Sequence, residues 1–274
     1  MKSLEGVVKV VNGLPDQISI LDLAAVKVPN RVTEDYIMEN VVPVFKSKGN
    51  IRLATYFPTA NMRITAQKSS VDLVPCLGMF GTLELQPEVN KVIDSMVERL
   101  RTLSRKSNGR FIAVDLRVEV LENKNCHGSG SVGAKSCYNA EEIALFLRKV
   151  GFNMDTTIYL TQTTWDSSLS VLKDIFPRTY TKENIMPKEK KRKFLEPEGS
   201  EFERVIDFYI CSQSDLFVPA ISGLFYANVA GKRIASGKPQ ILVPDKIPGS
   251  SAHITNYLSP YVAKKNHLVY SCFC

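Results

Sequence analysis

Asp115, Arg117 and Glu119 fall at every second position of the tract RFIAVDLRVEVLE, residues 110–122. A strand sends successive side chains to opposite faces, so this alternation predicts a strand over 111–118. Ile112, Val114, Leu116, Val118 and Val120 would share one face; Phe111, Ala113, Asp115, Arg117 and Glu119 would share the other. The second face begins apolar and ends acid, base, acid. A guanidinium is a planar fork of donors suited to a pyrophosphate, and flanking carboxylates could orient it or serve a hydroxyl. The same pattern suits an edge strand with a solvated, salt-bridged face, and the pattern alone leaves both readings open.

A second stretch, CSQSDLFVPAISGLFYANVAGKR at 211–233, places Ser214 and Asp215 at a helix-to-strand junction. There they could bond a ligand or loop amides, or simply cap their neighbours. Ser222-Gly223 opens a helix whose first N–H groups could hold a phosphate. Neither a G-x-G-x-x-G run nor a P-loop is present. The basic run KEKKRK at 188–193 reads first as a solvated loop or a helix start after Pro187, and second as a phosphate-binding or nuclear-localisation patch. His127, in CHGSGSVGAKSC, lies in a Gly/Ser-rich loop better closed by a Cys126–Cys137 disulfide than organised around a metal. Trp165, just beyond a strand end, could stack on a sugar or pack beneath a helix. His253 and His267 have no partner legible in the sequence.

The 274 residues are 44% hydrophobic and 23% charged, the balance of an ordinary globular protein. A net charge of +7 favours anionic partners, whether nucleic acid, acidic membrane surface or phosphate-bearing ligand, without choosing among them. Six cysteines without a C-x-x-C pair, and three histidines, give little support to zinc. The terminal CFC reads as one disulfide partner and one thiol. No Asn-x-Ser/Thr site occurs, the N-terminal MKSLEGVVKVVNGLPDQISILDL carries no signal-peptide apolar core, and no run reaches about 18 apolar residues.

The elements that must carry these residues have an α/β rhythm. Short apolar runs broken by Pro, Asn and Gly fill 1–87, and a helix is expected over 88–106. Strand 111–118 follows. A helix at 140–150 comes next, with Asn139 as N-cap and Glu142 closing a capping box. Then come strand 156–161, helix 167–176, helix 201–213, strand 216–218, helix 223–231 and strand 239–244. Helix 201–213 is expected to bury Phe202, Val205, Ile206, Tyr209 and Ile210. Alternating strands and helices imply βαβ units and a mainly parallel sheet, a Rossmann-like half over 110–250. Ligands bind such sheets at the carboxyl ends of the strands. That expectation gathers the end of 111–118, the turn after 161 and the region 214–218 at one site.

The tracts FIAVDLRVEVL, NAEEIALFLRKVGFNMDTTIYLTQTTWDSSLSVLKDIFPRTYTKE and VIDFYICSQSDLFVPAISGLFYANVAGKRI resemble the plant GDP-fucose protein O-fucosyltransferase-like family. They follow the family's order: an H-L-R-x-E-like strand, a helix ending in G-F, a T-x-I-Y-L strand, F-P with T-K-E, a D-Y-x-x-x-x-S-D-x-F segment and a G-x-R. The resemblance covers most of 74–245, and the tail from Ile241 together with SCYNAEEIALFL at 136–147 looks closest to the mannan-synthesis-related branch, whose members are Golgi type II membrane proteins. It implies a GT-B fold of two Rossmann-like domains, here with 109–274 as the nucleotide-sugar domain. Residues 1–108 would be part of the acceptor-side domain with its connecting helix; the glycine-rich G-G-x-N-Q segment of that domain does not occur, so the chain is expected to start partway through it.

The resemblance implies inverting, metal-independent transfer from a GDP-sugar of the GDP-fucose type, with GDP-mannose a live option. The acceptor would be a polysaccharide or a protein, in mannan or related wall synthesis, and a mannan synthase is a candidate partner. No cofactor is expected beyond the donor itself. Arg117 matches the motif arginine facing the diphosphate and Glu119 the acid beside it. Ser214 and Asp215 match the S-D segment near the nucleotide, and Arg233 the arginine of G-x-R, an anion contact or a structural one. Asp115 stands where the family motif has histidine, which suits a different donor or weakened catalysis. A second function class is therefore a non-catalytic transferase-fold partner of a polysaccharide synthase. A third, nucleic-acid binding, rests on charge and KEKKRK alone, and no recognition module supports it.

Overall fold

The computed structural model describes residues 23–28, 34–55, 80, 85–123, 137–195, 201–244 and 254–273. The chain divides into two units, Met1–Arg63 and Ile64–Cys274. In the first, β1 (Ala24–Val28) pairs in parallel with β2 (Ile51–Thr55), from Ala24 opposite Ile51 to Val28 opposite Thr55. Parallel neighbours need a crossover, supplied by a helical run that ends in α1 (Val42–Lys48).

The second unit holds a four-stranded parallel sheet. Its strands are β3 (Phe111–Asp115), β4 (Thr157–Leu160), β5 (Thr179–Tyr180) and β6 (Leu216–Pro219), in the order β5-β4-β3-β6. Helices cover both faces, as an all-parallel sheet requires. These are α2 (Pro87–Leu103), α3 (Val118–Asn123), α4 (Ala140–Lys149), α5 (Ser170–Ile175), α6 (Lys182–Ile185), α7 (Lys188–Phe194), α8 (Glu201–Gln213) and α9 (Leu224–Ala235).

The alternation in β3 sorts the two cores. Ile112, Val114 and Leu116 join Ile143 and Leu147 of α4, Leu172 of α5, and Ile158 and Leu160 of β4. Phe111 and Ala113 join the opposite core with Tyr159, Phe217, α2, Ile206 and Ile210 of α8, and Val229 and Ala230 of α9. The stripe of α2 (Val89, Val92, Ile93, Met96, Val97 and Leu100) is buried there, so this helix packs within the second unit. The predicted capping box on α4 is present: Asn139 Oδ1 accepts from Glu142 N at 2.9 Å, and Glu142 Oε2 from Asn139 N at 3.0 Å.

Three expectations are corrected. Strand 111–118 ends at Asp115. Segment 239–244 forms only isolated bridges, Ile241 with Phe217 and Leu242 with Leu258. On α8 the buried stripe is Glu203, Ile206, Asp207, Ile210 and Cys211, whereas Phe202 stays 41% exposed. The helix is rotated from the expected face because two of its acids reach a buried lysine.

KEKKRK forms α7, with Phe194 buried and three lysines beside acids: Lys190 and Lys193 at Glu88, Lys191 at Glu183. Cys137 and Cys272 are each disulfide-bonded, and Cys211 is a buried thiol. His127, Cys126 and His253 lie outside the described residues. Among the described residues no helix is long and apolar enough to cross a membrane.

His267 proves to be a core residue: its Nδ1 accepts from Val269 N at 3.1 Å, so Nε2 carries the hydrogen given to Ala227 O at 3.0 Å. Its ring meets Tyr261 and Phe80 edge-on, with centroids 4.8 and 5.4 Å away. This cluster lies against α9 at Gly231, where an added Cβ would stand 2.7 Å from His267 Cε1 and nearer still to Phe80 Cε1. Gly231→Ala is therefore expected to destabilise the chain by about 1–3 kcal/mol through overpacking. A thermal melt matching the parent's would show that the two rings have room to retreat.

Candidate active site

The carboxyl ends of β3, β4 and β6 meet where the strand order turns back on itself, between β3 and β6. Such a switch point is the usual crevice for a ligand in an open parallel sheet. β3 stops at Asp115 because the chain tightens there: Leu116 N donates back to Val114 O at 3.1 Å. Arg117 O then accepts from Val120 N (3.2 Å) and Leu121 N (3.1 Å), starting α3. Val118 N, an orphan donor of that helix start, is taken up by Gln162 Oε1 at 2.9 Å. Arg117 thus rides on a turn, and Glu119 is exposed on the first turn of α3.

Asp115 is 1% exposed. Its Oδ1 accepts from Thr161 Oγ1 at 3.0 Å and faces Arg117 Nε at 3.4 Å. Its Oδ2 is buried and has no hydrogen-bond partner. Burial raises the Asp115 pKa, against the pull of Arg117 and Thr161. The Arg117 side chain is 18% exposed, with Nε buried, and its guanidinium carbon lies over the Phe225 ring, 5.3 Å from the centroid. Phe225 is the second residue of α9, and this 12-residue helix directs its N-terminus to the same edge. Its N-cap, Gly223, takes φ of 146°, a conformation side chains rarely adopt, and offers no side chain to the first N–H groups. A partly exposed fork of donors and the positive end of a helix therefore stand together.

Behind them lies a network that inspection of the sequence missed. Lys182, 1% exposed, donates from Nζ to Thr161 O and to Asp207 Oδ2, each at 2.7 Å, with Glu203 Oε2 at 3.9 Å. Tyr159 OH donates to Asp207 Oδ1 at 2.7 Å, and Thr163 Oγ1 bonds Glu203. The signal was present: Glu203 and Asp207 are four apart on a helix, hence on one face, and interrupt what is otherwise an apolar stripe.

Burial pushes Asp207 from 3.8 up to about 6, despite Lys182 and Tyr159. The native chain therefore binds more protons than the unfolded one between these values. The contribution of this group to stability is complete below about pH 4 and is lost as pH rises to about 6. Urea midpoints across that window are expected to fall for the parent relative to Asp207→Asn. Parallel curves would contradict the raised value.

The remaining expected site residues sit at the other end of the sheet. Asp215 Oδ2 accepts from Phe111 N at 2.9 Å, at the start of β3, about 13 Å from Asp115 at the usual strand rise. Ser214 Oγ donates within the α8–β6 junction, to Cys211 O (2.9 Å) and Leu216 O (3.0 Å). Arg233 is fully buried: Nη1 donates to Cys211 O, Ser214 O and Ser214 Oγ, and Nη2 to Asp215 O and Gln240 O, at 2.7–3.2 Å. The structure brings Asp115 and Arg117 together and holds Ser214, Asp215 and Arg233 apart from them. At this amino edge a cavity of about 660 Å³ opens beside Arg110, Phe152, Leu242 and Leu258. Trp165 packs against the α4–α5 core with Lys173 Nζ 4.6 Å from its ring centre.

Comparison with known proteins bears on the same region. The chain is 66% identical over all 274 residues to Protein MANNAN SYNTHESIS-RELATED 2 of Arabidopsis thaliana. It is 50% identical over 270 residues, 98% of the chain, to Protein MANNAN SYNTHESIS-RELATED of Trigonella foenum-graecum. It spans 65% of the length of each of these relatives. O-fucosyltransferase 11 of Arabidopsis thaliana is more distant, 25% identical over 90% of the chain and 49% of its own length. The sequence model for GDP-fucose protein O-fucosyltransferase matches residues 1–235, which include Asp115, Arg117, Lys182, Asp207 and the start of α9. Because that match runs over residues 1–235, well over half of the chain and all of its described strands, the chain belongs to the GDP-fucose protein O-fucosyltransferase family.

Proposed function

We propose that the second unit is the donor-binding half of a GT-B-like glycosyltransferase that takes a GDP-sugar and serves mannan synthesis. The observation that carries this reading is the partly exposed Arg117 side chain, its guanidinium over the Phe225 ring at the N-terminus of α9, at the switch point of a parallel sheet. The leaving GDP gains negative charge as the glycosidic bond breaks, and preorganised donors aimed at that charge lower the barrier. Arg117 and the first amides of α9 take this role; Asp115 and Glu119 orient the fork or receive a hydroxyl. Ser214, Asp215 and Arg233 serve the fold, because their polar groups are spent at the amino edge. The family description supports the donor class, and the names of the relatives support the pathway. A Golgi location goes with this reading.

Calorimetric titration of the chain with GDP, GDP-fucose and GDP-mannose tests it: saturable binding that ranks the sugars is expected, and no binding to any of them by folded protein would refute it. A second reading, a transferase fold that supports a synthase without turnover, is favoured by one observation. Asp115 stands beside Arg117 with one buried carboxylate oxygen unpartnered, and an ionised carboxylate there would oppose a diphosphate drawn to the arginine. GDP binding without consumption of any GDP-sugar would select that reading.

A further inference from the structure

We propose that Lys182 is a positioning residue for the Arg117 site, acting on it through Thr161, Gln162 and Asp115; the inference rests on the donor-site reading above. A lysine and two acids buried together are seldom favourable against an apolar cluster of the same volume. The core around them is already continuous across α2, α8 and β4, so cohesion alone does not call for a charge. What the ammonium adds is its third contact, Thr161 O at 2.7 Å, at the carboxyl end of β4. The Lys182 backbone grips the next residue as well, with its N donating to Gln162 O at 3.1 Å.

Residues 161 and 162 in turn hold the Arg117 turn from two sides. Thr161 Oγ1 donates to Asp115 Oδ1, which faces Arg117 Nε, and Gln162 Oε1 accepts from Val118 N. Lys182 is fixed from behind by Asp207, itself fixed by Tyr159 OH. The path from α8 to the guanidinium is thus a chain of contacts between 2.7 and 3.4 Å. Arg117 has little else to define its direction: the Phe225 ring lies 5.3 Å from its guanidinium carbon, while the turn that carries it is aimed by residues 161 and 162.

The test compares the parent chain with Lys182→Met/Asp207→Asn, which removes the charge pair together and leaves no unpaired acid at 207, and with Thr161→Val, which keeps the Lys182–Thr161 carbonyl contact but cuts the link to Asp115. The readouts are GDP affinity by calorimetry and amide hydrogen exchange of peptides covering 116–123, with 140–149 as the reference. The double variant is expected to lose at least tenfold in GDP affinity and Thr161→Val at least threefold. Both should exchange faster at 116–123 and at the parent rate at 140–149. GDP affinity within twofold of the parent, with unchanged exchange at 116–123, would overturn the proposal; if the double variant does not fold, Thr161→Val decides by the same criteria. Should the parent itself fail to bind GDP, the donor-site reading falls. Exchange at 116–123 then decides the positioning role alone, faster exchange supporting it and no change overturning it.

Discussion

Arg233→Met is expected to cost more than about 3 kcal/mol, a large share of the 5–15 kcal/mol typical of a whole domain. Arg233 is fully buried, and its guanidinium closes the junction between α8 and β6 by donating to the carbonyls of Cys211, Ser214, Asp215 and Gln240. Methionine fills much of the volume but takes a charged donor from all four carbonyls. Cys211 O keeps Ser214 Oγ and Gln240 O keeps Phe217 N, whereas the Ser214 carbonyl, buried with the guanidinium, loses its donor and its desolvation penalty falls on the native state. Burial has already drawn the arginine down to about 10, so its charge is tolerated because the carbonyls surround it. Arg233→Lys should recover only part of the loss, since one ammonium does not span both sets of acceptors. Chemical denaturation measures this directly. A variant with the parent's midpoint and no affinity for GDP would instead return Arg233 to the donor site.

The opposite result is expected at Arg117. Its described contacts are one 3.4 Å approach to Asp115 and the Phe225 ring, and its side chain keeps 18% exposure. Arg117→Ala should therefore cost less stability than Arg233→Met, the cost being that of leaving the buried Asp115 carboxyl without its cation. GDP affinity should fall by about 1.5–3 kcal/mol, the worth of a charge-assisted bond, or roughly 10- to 150-fold. Arg117→Lys should recover less than half of that, because an ammonium supplies a point charge where a diphosphate meets a fork. Loss of stability matching the loss of affinity would mark Arg117 as structural.

The sequence and the structure agree where short-range rules govern. Alternation over 111–116 does divide β3 between two cores, and Asn139 and Glu142 do close the predicted box. The bounds of α8 were legible, but its buried face was not. Hydrophobicity selects Phe202 and Tyr209, whereas the fold turns Glu203 and Asp207 inward, because their partner Lys182 lies 25 residues before Asp207 on another element. That pairing is tertiary, and no periodicity encodes it. The charged face of 111–119 departs from the strand alternation for a related reason. After Asp115 the backbone turns, so Arg117 owes its place to Gln162 and Thr161 rather than to the pleat. β5 is two residues long, too short for any pattern, and exists because the chain passes beside β4.

The measurement that bears most directly on the donor site is hydrogen exchange of the parent chain with and without saturating GDP. The carboxyl-edge reading predicts slower exchange in peptides spanning 115–123 and 219–227, where Arg117 and the start of α9 meet. Slowing confined to 106–112 and 151–156, the lining of the cavity at the amino edge, would contradict it.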